Sequence, residues 1–209
     1  MRSGATGRLE TDVLVVGSGI AGLSVALHAA RFARVLIVTK REGHESNTNY
    51  AQGGIAAALG DDDRRELHER DTLICGAGLC DPESVRVLVE EGAGEIAHLV
   101  SLGVRFDHDP RSPGALALGR EGGHSRRRIV HAKDRTGREV ETRLLALAQA
   151  HPKISILENH IMVDLILASK HLGGRRIALQ RDRVWGAYVL DRRTGRIRPC
   201  AARATVLAT

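Results

Sequence analysis

With 209 residues the chain has room for one substantial core, or for one domain and part of another. Hydrophobic residues make up 43% and aromatics 2%, so aliphatic side chains must build the core; no apolar run reaches the roughly 18 residues of a membrane span, and the N-terminal MRSGATGRLE lacks the apolar stretch of a secretory signal. The formal net charge of +6 raises nucleic acid as a partner, but the arginines are dispersed with few aromatics between them to stack on bases, so neither nucleic acid nor membrane is expected.

Residues 13–16 form a short apolar run of the length of a buried parallel strand. The run breaks at Gly17-Ser18-Gly19-Ile20-Ala21-Gly22 and passes into an apolar-rich segment of helical length, 23–33, followed by a second apolar run at 35–38. Strand, glycine turn, helix and return strand are the context in which G-x-G-x-x-G carries physical meaning. Gly17 allows the tight turn, Gly19 lets a pyrophosphate approach the backbone, and Gly22 lets the helix lie close on the sheet. The unpaired N–H groups and the positive end of the helix dipole then hold phosphates, so this stretch is expected to bind a nucleotide rather than only to turn the chain. A carboxylate usually follows the second strand to hold the adenosine ribose. Thr39-Lys40-Arg41 stands there instead, which argues against NAD and leaves FAD, or a phosphorylated ribose, open.

Residues 41–60 are polar and small, with a Gly53-Gly54 pair and no clear period. The apolar tail at 55–59 predicts a return to the interior, as in a loop that lines a ligand. Residues 61–70 read as a solvated charged stretch and 71–74 as a helix end. Asp81-Pro82 is a helix start, with Asp as N-cap and Pro at the first helical position. Val85, Leu88, Val89, Ile96, Leu99 and Val100 form its apolar stripe, and Gly103 ends it. Gly92 and Gly94 inside it predict a kink or a close contact. Residues 104–134 have little periodicity but much chemistry, including His124, His131 and Arg126-Arg127-Arg128.

Thr136-Gly137-Arg138-Glu139 is a capping-box pattern. It opens a helix with Val140, Leu144 and Leu147 on one face, ending near His151-Pro152. Runs at 154–157, 161–167 and 184–190 read as strands, and a turn at 191–195 leads to a further one. Their alternation predicts an antiparallel meander laid against the parallel sheet. The chain finishes on an apolar strand at 204–209. The fold class is therefore α/β, a Rossmann-like domain of parallel sheet plus antiparallel meander, incomplete at its C-terminus. Cys75, Cys80 and Cys200 are an odd count without metal-ligand spacing, which predicts reduced thiols, a cytoplasmic protein and no metal.

Four stretches closely resemble the L-aspartate oxidase family, flavoproteins of the succinate dehydrogenase and fumarate reductase superfamily: GSGIAGLS at 17–24, SNTNYAQGGIAAAL at 46–59, DTLICGAGLCD at 71–81, and GREGGHSRRRIVHAKDRTGREVE at 119–141. Gln52-Gly53-Gly54 marks the superfamily, and EGGHSRRR at 121–128 points to the aspartate branch. The resemblance implies FAD, with its pyrophosphate on the turn of Gly17, Ser18, Gly19, Ile20, Ala21 and Gly22 and its adenosine near Lys40. It places Asn47, Thr48, Asn49, Tyr50, Ala51, Gln52, Gly53 and Gly54 on the flavin side, and the backbone of Val163 and Asp164 at the adenine. In membrane-bound succinate dehydrogenases a histidine just before the threonine of this loop bonds the flavin covalently. Asn47 precedes Thr48 here, so the resemblance implies non-covalent FAD. His44 is out of register and reads as an exposed loop residue.

The activity implied is oxidation of L-aspartate to iminoaspartate, the first step of de novo NAD biosynthesis, with oxygen or fumarate as electron acceptor and quinolinate synthase as a possible recipient. Glu121 is the candidate carboxylate for the substrate ammonium, against a plain solvated loop residue. Arg126, Arg127 and Arg128 offer guanidinium forks for a carboxylate or phosphate, though on a strand they alternate faces and at least one meets only water. His124 and His131 are acid–base candidates with simpler structural readings. The family's capping domain, with its further substrate histidines and arginines, has no match. Residues 1–209 thus read as one FAD-binding domain, the amino-terminal portion of a longer protein and inactive alone. The alternatives are a soluble fumarate reductase or succinate dehydrogenase-type flavoprotein, a non-catalytic flavin-binding module, and a nicotinamide Rossmann dehydrogenase, which Lys40 and Gln52-Gly53-Gly54 disfavour.

Overall fold

The structure, a computed structural model, describes residues 7–171 and 182–209. It divides into two compact units, Met1–Asn47 with Leu144–Thr209, and Thr48–Arg143. The first opens with strand β1 (Leu9–Val16), helix α1 (Ile20–Ala29) and strand β2 (Val35–Val38). Then come α2 (Asn47–Tyr50), β3 (Ile55–Ala56), α3 (Arg65–Cys75), α4 (Pro82–Ser101), β4 (Leu118–Gly119) and β5 (Ile129–Val130). Helix α5 (Thr136–Ala150) leads to β6 (Ile154–Leu157), β7 (His160–Leu167), α6 (Ala168–His171), β8 (Val184–Asp191) and β9 (Arg196–Leu207).

In the first unit, β1 begins ahead of the apolar run because Leu9 and Thr11 are themselves buried. Helix α1 is shorter than its apolar segment: it ends at Ala29, and the chain turns through Phe32 and Ala33 to reach β2. All of β2 is buried, as a strand covered on both faces requires. It pairs in parallel with β1 on one side and β6 on the other. The six-stranded sheet runs β6-β2-β1-β9-β8-β7. The antiparallel meander β7-β8-β9 is therefore not laid against the parallel sheet but continues it edge to edge.

Strand β9 makes that junction. Its Arg196–Ala201 part pairs antiparallel with β8, and its Cys200–Leu207 part pairs in parallel with β1. The two separate strands expected near the C-terminus are this one strand. Its middle, Arg198-Pro199-Cys200, looks unlike a strand in sequence, but ladders on its two edges hold it extended. One face of the sheet packs Leu9, Leu14, Val16, Leu36 and Val38 with Ala187, Val189 and Cys200.

In the second unit, β3, β5 and β4 make a small antiparallel sheet with β5 in the middle. The helix end expected at 71–74 is the last part of helix α3, which begins at Arg65 within the stretch read only as charged and solvated. Its inward side carries His68, 3% exposed, and the largely buried Asp71 in place of an aliphatic stripe, so apolar periodicity could not announce it. Helix α4 starts as its sequence predicts: the Asp81 carboxylate accepts a hydrogen bond from the Ser84 N–H at 2.8 Å. Val85, Val89, Ile96 and Leu99 are buried, whereas Leu88 and Val100 are exposed. Gly103 follows the helix at φ +90°, the left-handed position glycine favours. A Cβ on Gly92 would make only ordinary contact, 3.8 Å from the Ala56 carbonyl oxygen, and one on Gly94 would meet open space.

The capping box at the start of α5 does not form. The Thr136 hydroxyl accepts from the Ala132 N–H at 3.1 Å, while the Glu139 carboxylate accepts from the Arg105 N–H at 3.0 Å. Both side chains accept from segments that precede the helix instead of from each other's backbone N–H. Gly137 is needed for another reason: a Cβ there would overlap the Thr48 carbonyl oxygen.

Candidate functional site

The glycine turn of the first unit has distinct demands at its three glycines. Gly17 lies at φ +112°, donates to the Val38 carbonyl at 2.9 Å, and a Cβ on it would overlap the Ala208 carbonyl. A Cβ on Gly22 would overlap the Gly17 carbonyl, so α1 lies hard against the turn. Gly19 is the N-cap of α1 at φ −70° and ψ −179°, extended backbone that any residue adopts. Its conformation therefore does not explain the glycine.

The cap carries no side-chain hydrogen bond, and the first turn of α1 holds no acidic residue. No acidic side chain in that turn therefore opposes a phosphate at the positive end of the helix dipole. Ile20 and Ala21 are exposed at this first turn. The buried Ser18 hydroxyl donates to Thr39 Oγ1 at 3.0 Å, tying the turn to the end of β2. Thr39, a bond the sequence did not announce, occupies the place where a ribose-binding carboxylate is usual. Lys40, next to it, is exposed and its carbonyl accepts from Arg192 at 2.9 Å.

Val163 and Asp164 lie on β7, the edge strand of the sheet. Val163 is exposed and sits at a register shift, without a partner on β8, which leaves its backbone outside the ladder. The Asp164 carboxylate pairs with Lys170 at 2.8 Å, which together with the Leu165 N–H holds it below the ordinary carboxylate range. His44 is exposed and stands beside Glu42 and Glu45 at 3.6 and 3.8 Å.

Asn47, Thr48, Asn49 and Tyr50 form the one turn of α2, followed by exposed Ala51, Gln52 and Gly53. In the second unit Gly54 packs so closely on β5 that a Cβ would overlap Ile129 and the Val130 carbonyl. Its N–H donates to Glu121 Oε1 at 3.4 Å, and a Cβ on Gly53 would lie 3.8 Å from the same oxygen. The fold therefore brings Glu121 to the Gln52-Gly53-Gly54 turn. Glu121 is exposed and has no ion pair among the described residues.

The three arginines after it have three different fates. They precede β5 instead of alternating along it. Arg126 bonds the Asp62 carbonyl at 3.1 Å, and Arg127 is exposed. Arg128 is wholly buried. Its Nε and Nη2 donate to both oxygens of Asp63 at 2.8 Å each, and Nη1 donates to Asp71 at 2.7 Å. Arg128 is thus no anion clamp for a ligand; its fork is filled by protein carboxylates.

Burial alone would raise both carboxylates, but the hydrogen bonds outweigh it. Asp63 is held below its ordinary value by Arg128 and the Arg64 N–H, and Asp71 is lowered to about 2 by Ser125 and Arg128. His124 Nδ1 lies 3.3 Å from Arg128 Nη1, which makes that nitrogen an acceptor. The His68 ring, 5.8 Å from that of His124, is pushed toward the neutral form by burial and by Arg128. His131 bonds Asp107 at 3.0 Å, a structural pairing at the start of the α5 approach. Asp63, Asp71 and His68 went unmarked in the sequence because an aspartate run and a charged helix read as solvated surface.

A family profile described as an FAD binding domain matches residues 12–209. The chain belongs to the FAD-binding domain family. This FAD-binding domain is 46% identical over 201 residues to L-aspartate oxidase 1 of Ralstonia nicotianae, covering 96% of this chain and 37% of that protein. It is 50% identical over 161 residues to the chloroplastic L-aspartate oxidase of Arabidopsis thaliana, covering 77% of this chain and 24% of that one. Among solved structures, an E. coli quinol fumarate reductase superposes with a TM-score of 0.85 at 28% identity, covering 97% of this chain and 33% of the other. The chain thus spans only about a third of the length of the Ralstonia oxidase and of the E. coli reductase. FAD is the cofactor of this fold, and the glycine turn, the first turn of α1 with no acidic residue and the open edge of β7 fit it. Among the described residues no group of side chains forms a metal site, and no helix is long and apolar enough to cross a membrane.

Proposed function

We propose that this FAD-binding domain serves the oxidation of L-aspartate to iminoaspartate, with oxygen or fumarate as the final electron acceptor. The observation that carries the reading is Glu121, an exposed carboxylate without an ion pair among the described residues, hydrogen-bonded to the glycine turn at Gly54. A carboxylate so placed is matched to an ammonium, which L-aspartate has and succinate lacks. The similarity to L-aspartate oxidases over 96% of the chain supports the same substrate.

FAD would supply the acceptor for the hydride of the substrate Cα–H; as the C=N bond forms, the ammonium would give up one proton to yield the protonated imine and a second to yield the neutral imine. The protein's part is binding and orientation. The N–H groups at the start of α1, with Gly17, Ser18, Gly19, Ile20, Ala21 and Gly22, hold the pyrophosphate; Lys40, Val163 and Asp164 serve the adenosine end. The segment from Asn47 to Gly54 serves the flavin. The Asn47 amide cannot form a histidyl–flavin bond, so the cofactor is held non-covalently. We place the protein in the cytoplasm, where its unstable imine product would pass to quinolinate synthase.

The likeness to a fumarate reductase favours fumarate reduction as the second reading. Glu121→Gln, made in this chain continued to the length of its relatives, separates the two. With flavin content measured alongside, the substitution should weaken aspartate oxidation about a hundredfold, as removal of one transition-state electrostatic partner does, while sparing fumarate reduction. Equal loss of both activities would remove Glu121 from amine recognition, and absence of aspartate oxidation in the parent would leave the fumarate reading.

A further inference from the structure

We propose that Asp71 and Arg128 are positioning residues that fix where Glu121 stands, and through it the choice between an amino dicarboxylate and a plain one. This inference rests on the amine-reading role given to Glu121 above. The loop carrying Glu121 leaves β4 at Gly119 and closes where the Arg128 N–H donates to the Gly119 carbonyl at 3.0 Å. On the far side of the loop, the Ser125 N–H and hydroxyl both donate to Asp71 Oδ2, at 2.7 Å each. Arg128 Nη1 reaches the same oxygen at 2.7 Å, so one atom of α3 gathers three donors from the loop and its closing residue.

The anchor cannot slide. Arg128 and Asp63 are wholly buried and share two parallel hydrogen bonds, so moving either would strand a charge. Arg128 also acts on the other partner of Glu121. Its carbonyl accepts from the Ala57 N–H at 2.9 Å, which holds the β3 segment that follows the Gly53-Gly54 turn. Within the loop, the His124 N–H donates to the Glu121 carbonyl at 3.3 Å, linking the Ser125 anchor to the Glu121 backbone through one turn. Among the described residues the Glu121 carboxylate accepts only from the Gly54 N–H, at a long 3.4 Å. That bond is too weak to place the side chain, so the loop must.

Ser125 is exposed, which makes it the lever that moves the loop and spares the buried cluster. Ser125→Ala removes one donor to a charged oxygen, and Ser125→Thr keeps it. The test measures amide hydrogen exchange by mass spectrometry and, in the flavin-loaded protein continued to the length of its relatives, the change in flavin absorbance on titration with L-aspartate and with succinate. In Ser125→Ala, exchange over 121–126 should be about tenfold faster, the size of one lost charge-assisted hydrogen bond. The aspartate-to-succinate affinity ratio should fall by a similar factor, with succinate unchanged. Ser125→Thr should restore both, and flavin content should be equal in all three proteins. Wild-type exchange over 121–126 in Ser125→Ala overturns the proposal, and so does an unchanged ratio. A parent protein with no preference for aspartate instead overturns the amine-reading role of Glu121, while the exchange comparison still decides whether Asp71 anchors the loop.

Discussion

Replacing Arg128 by methionine keeps much of the side chain's volume and removes the one guanidinium that serves two carboxylates. Three charge-assisted hydrogen bonds disappear, and the fully buried Asp63 loses its counter-charge. Removing one partner of a buried pair costs about 3–5 kcal/mol. For a chain of this size each kcal/mol lowers Tm by about 2–4 °C, so Arg128→Met should melt about 6–20 °C lower at pH 7. The pH dependence identifies the cause. In the parent, Asp63 and Asp71 are held below the ordinary carboxylate value. Their stabilisation is therefore present above roughly pH 4 and lost as pH falls through their folded values, about 2 for Asp71. In Arg128→Met, burial acts on Asp63 with no cation opposing it, and its folded value rises above the ordinary one. The variant then gains stability relative to the parent as pH falls from 7 toward 5, because the neutral acid is the form that burial favours. Calorimetry at the two pH values, with Arg128→Met/Asp63→Leu as a companion, tests this. The double variant should recover much of the loss, since the fully buried carboxylate is gone and the remaining Asp71 keeps both Ser125 donors. A deficit that is equal at both pH values, or a double variant as unstable as the single one, would show that lost packing and not stranded charge carries the cost.

The glycine turn separates two kinds of glycine. Gly19→Ala should leave the circular dichroism spectrum unchanged and lower flavin per chain at least tenfold, whereas Gly17→Ala should destabilise the fold itself, because its φ of +112° and the Ala208 carbonyl leave no place for a methyl group. Full flavin content in a folded Gly19→Ala protein would make the turn purely structural. Acid precipitation should release all flavin to the supernatant because Asn47 cannot bond it, and fluorescence remaining on the denatured polypeptide would contradict that. The thiols should titrate in order of access: Cys75, exposed, reacts with Ellman's reagent in the native protein, while Cys200, wholly buried and pushed up to about 11 by burial, reacts only on denaturation. Simultaneous reaction of both in the native state would refute the packing of β9.

What the sequence by itself determined was local. The β1–turn–α1–β2 unit, the Asp81 cap, the Gly103 stop and the strand runs of the meander are written in short-range patterns: apolar runs, a capping aspartate with its proline, glycines at turns. Each depends on backbone geometry within a few residues, so composition and spacing suffice. The resemblance to L-aspartate oxidases likewise rests on contiguous stretches. Tertiary structure alone decided the rest. Only the end of helix α3, at 71–74, was legible; its body was hidden because what it buries is His68 and Asp71, and a polar inward face has no apolar period to read. The capping box of α5 failed because Ala132 and Arg105 offered Thr136 and Glu139 other N–H donors. Strand β9 became one strand because neighbours on both edges held a stretch that no local pattern would extend. Arg126, Arg127 and Arg128 are equivalent as letters. Only the fold could give one of them two buried carboxylates and leave another in water, because a charge is worth burying only where partners from distant segments, here residues 63 and 71, arrive at the same place.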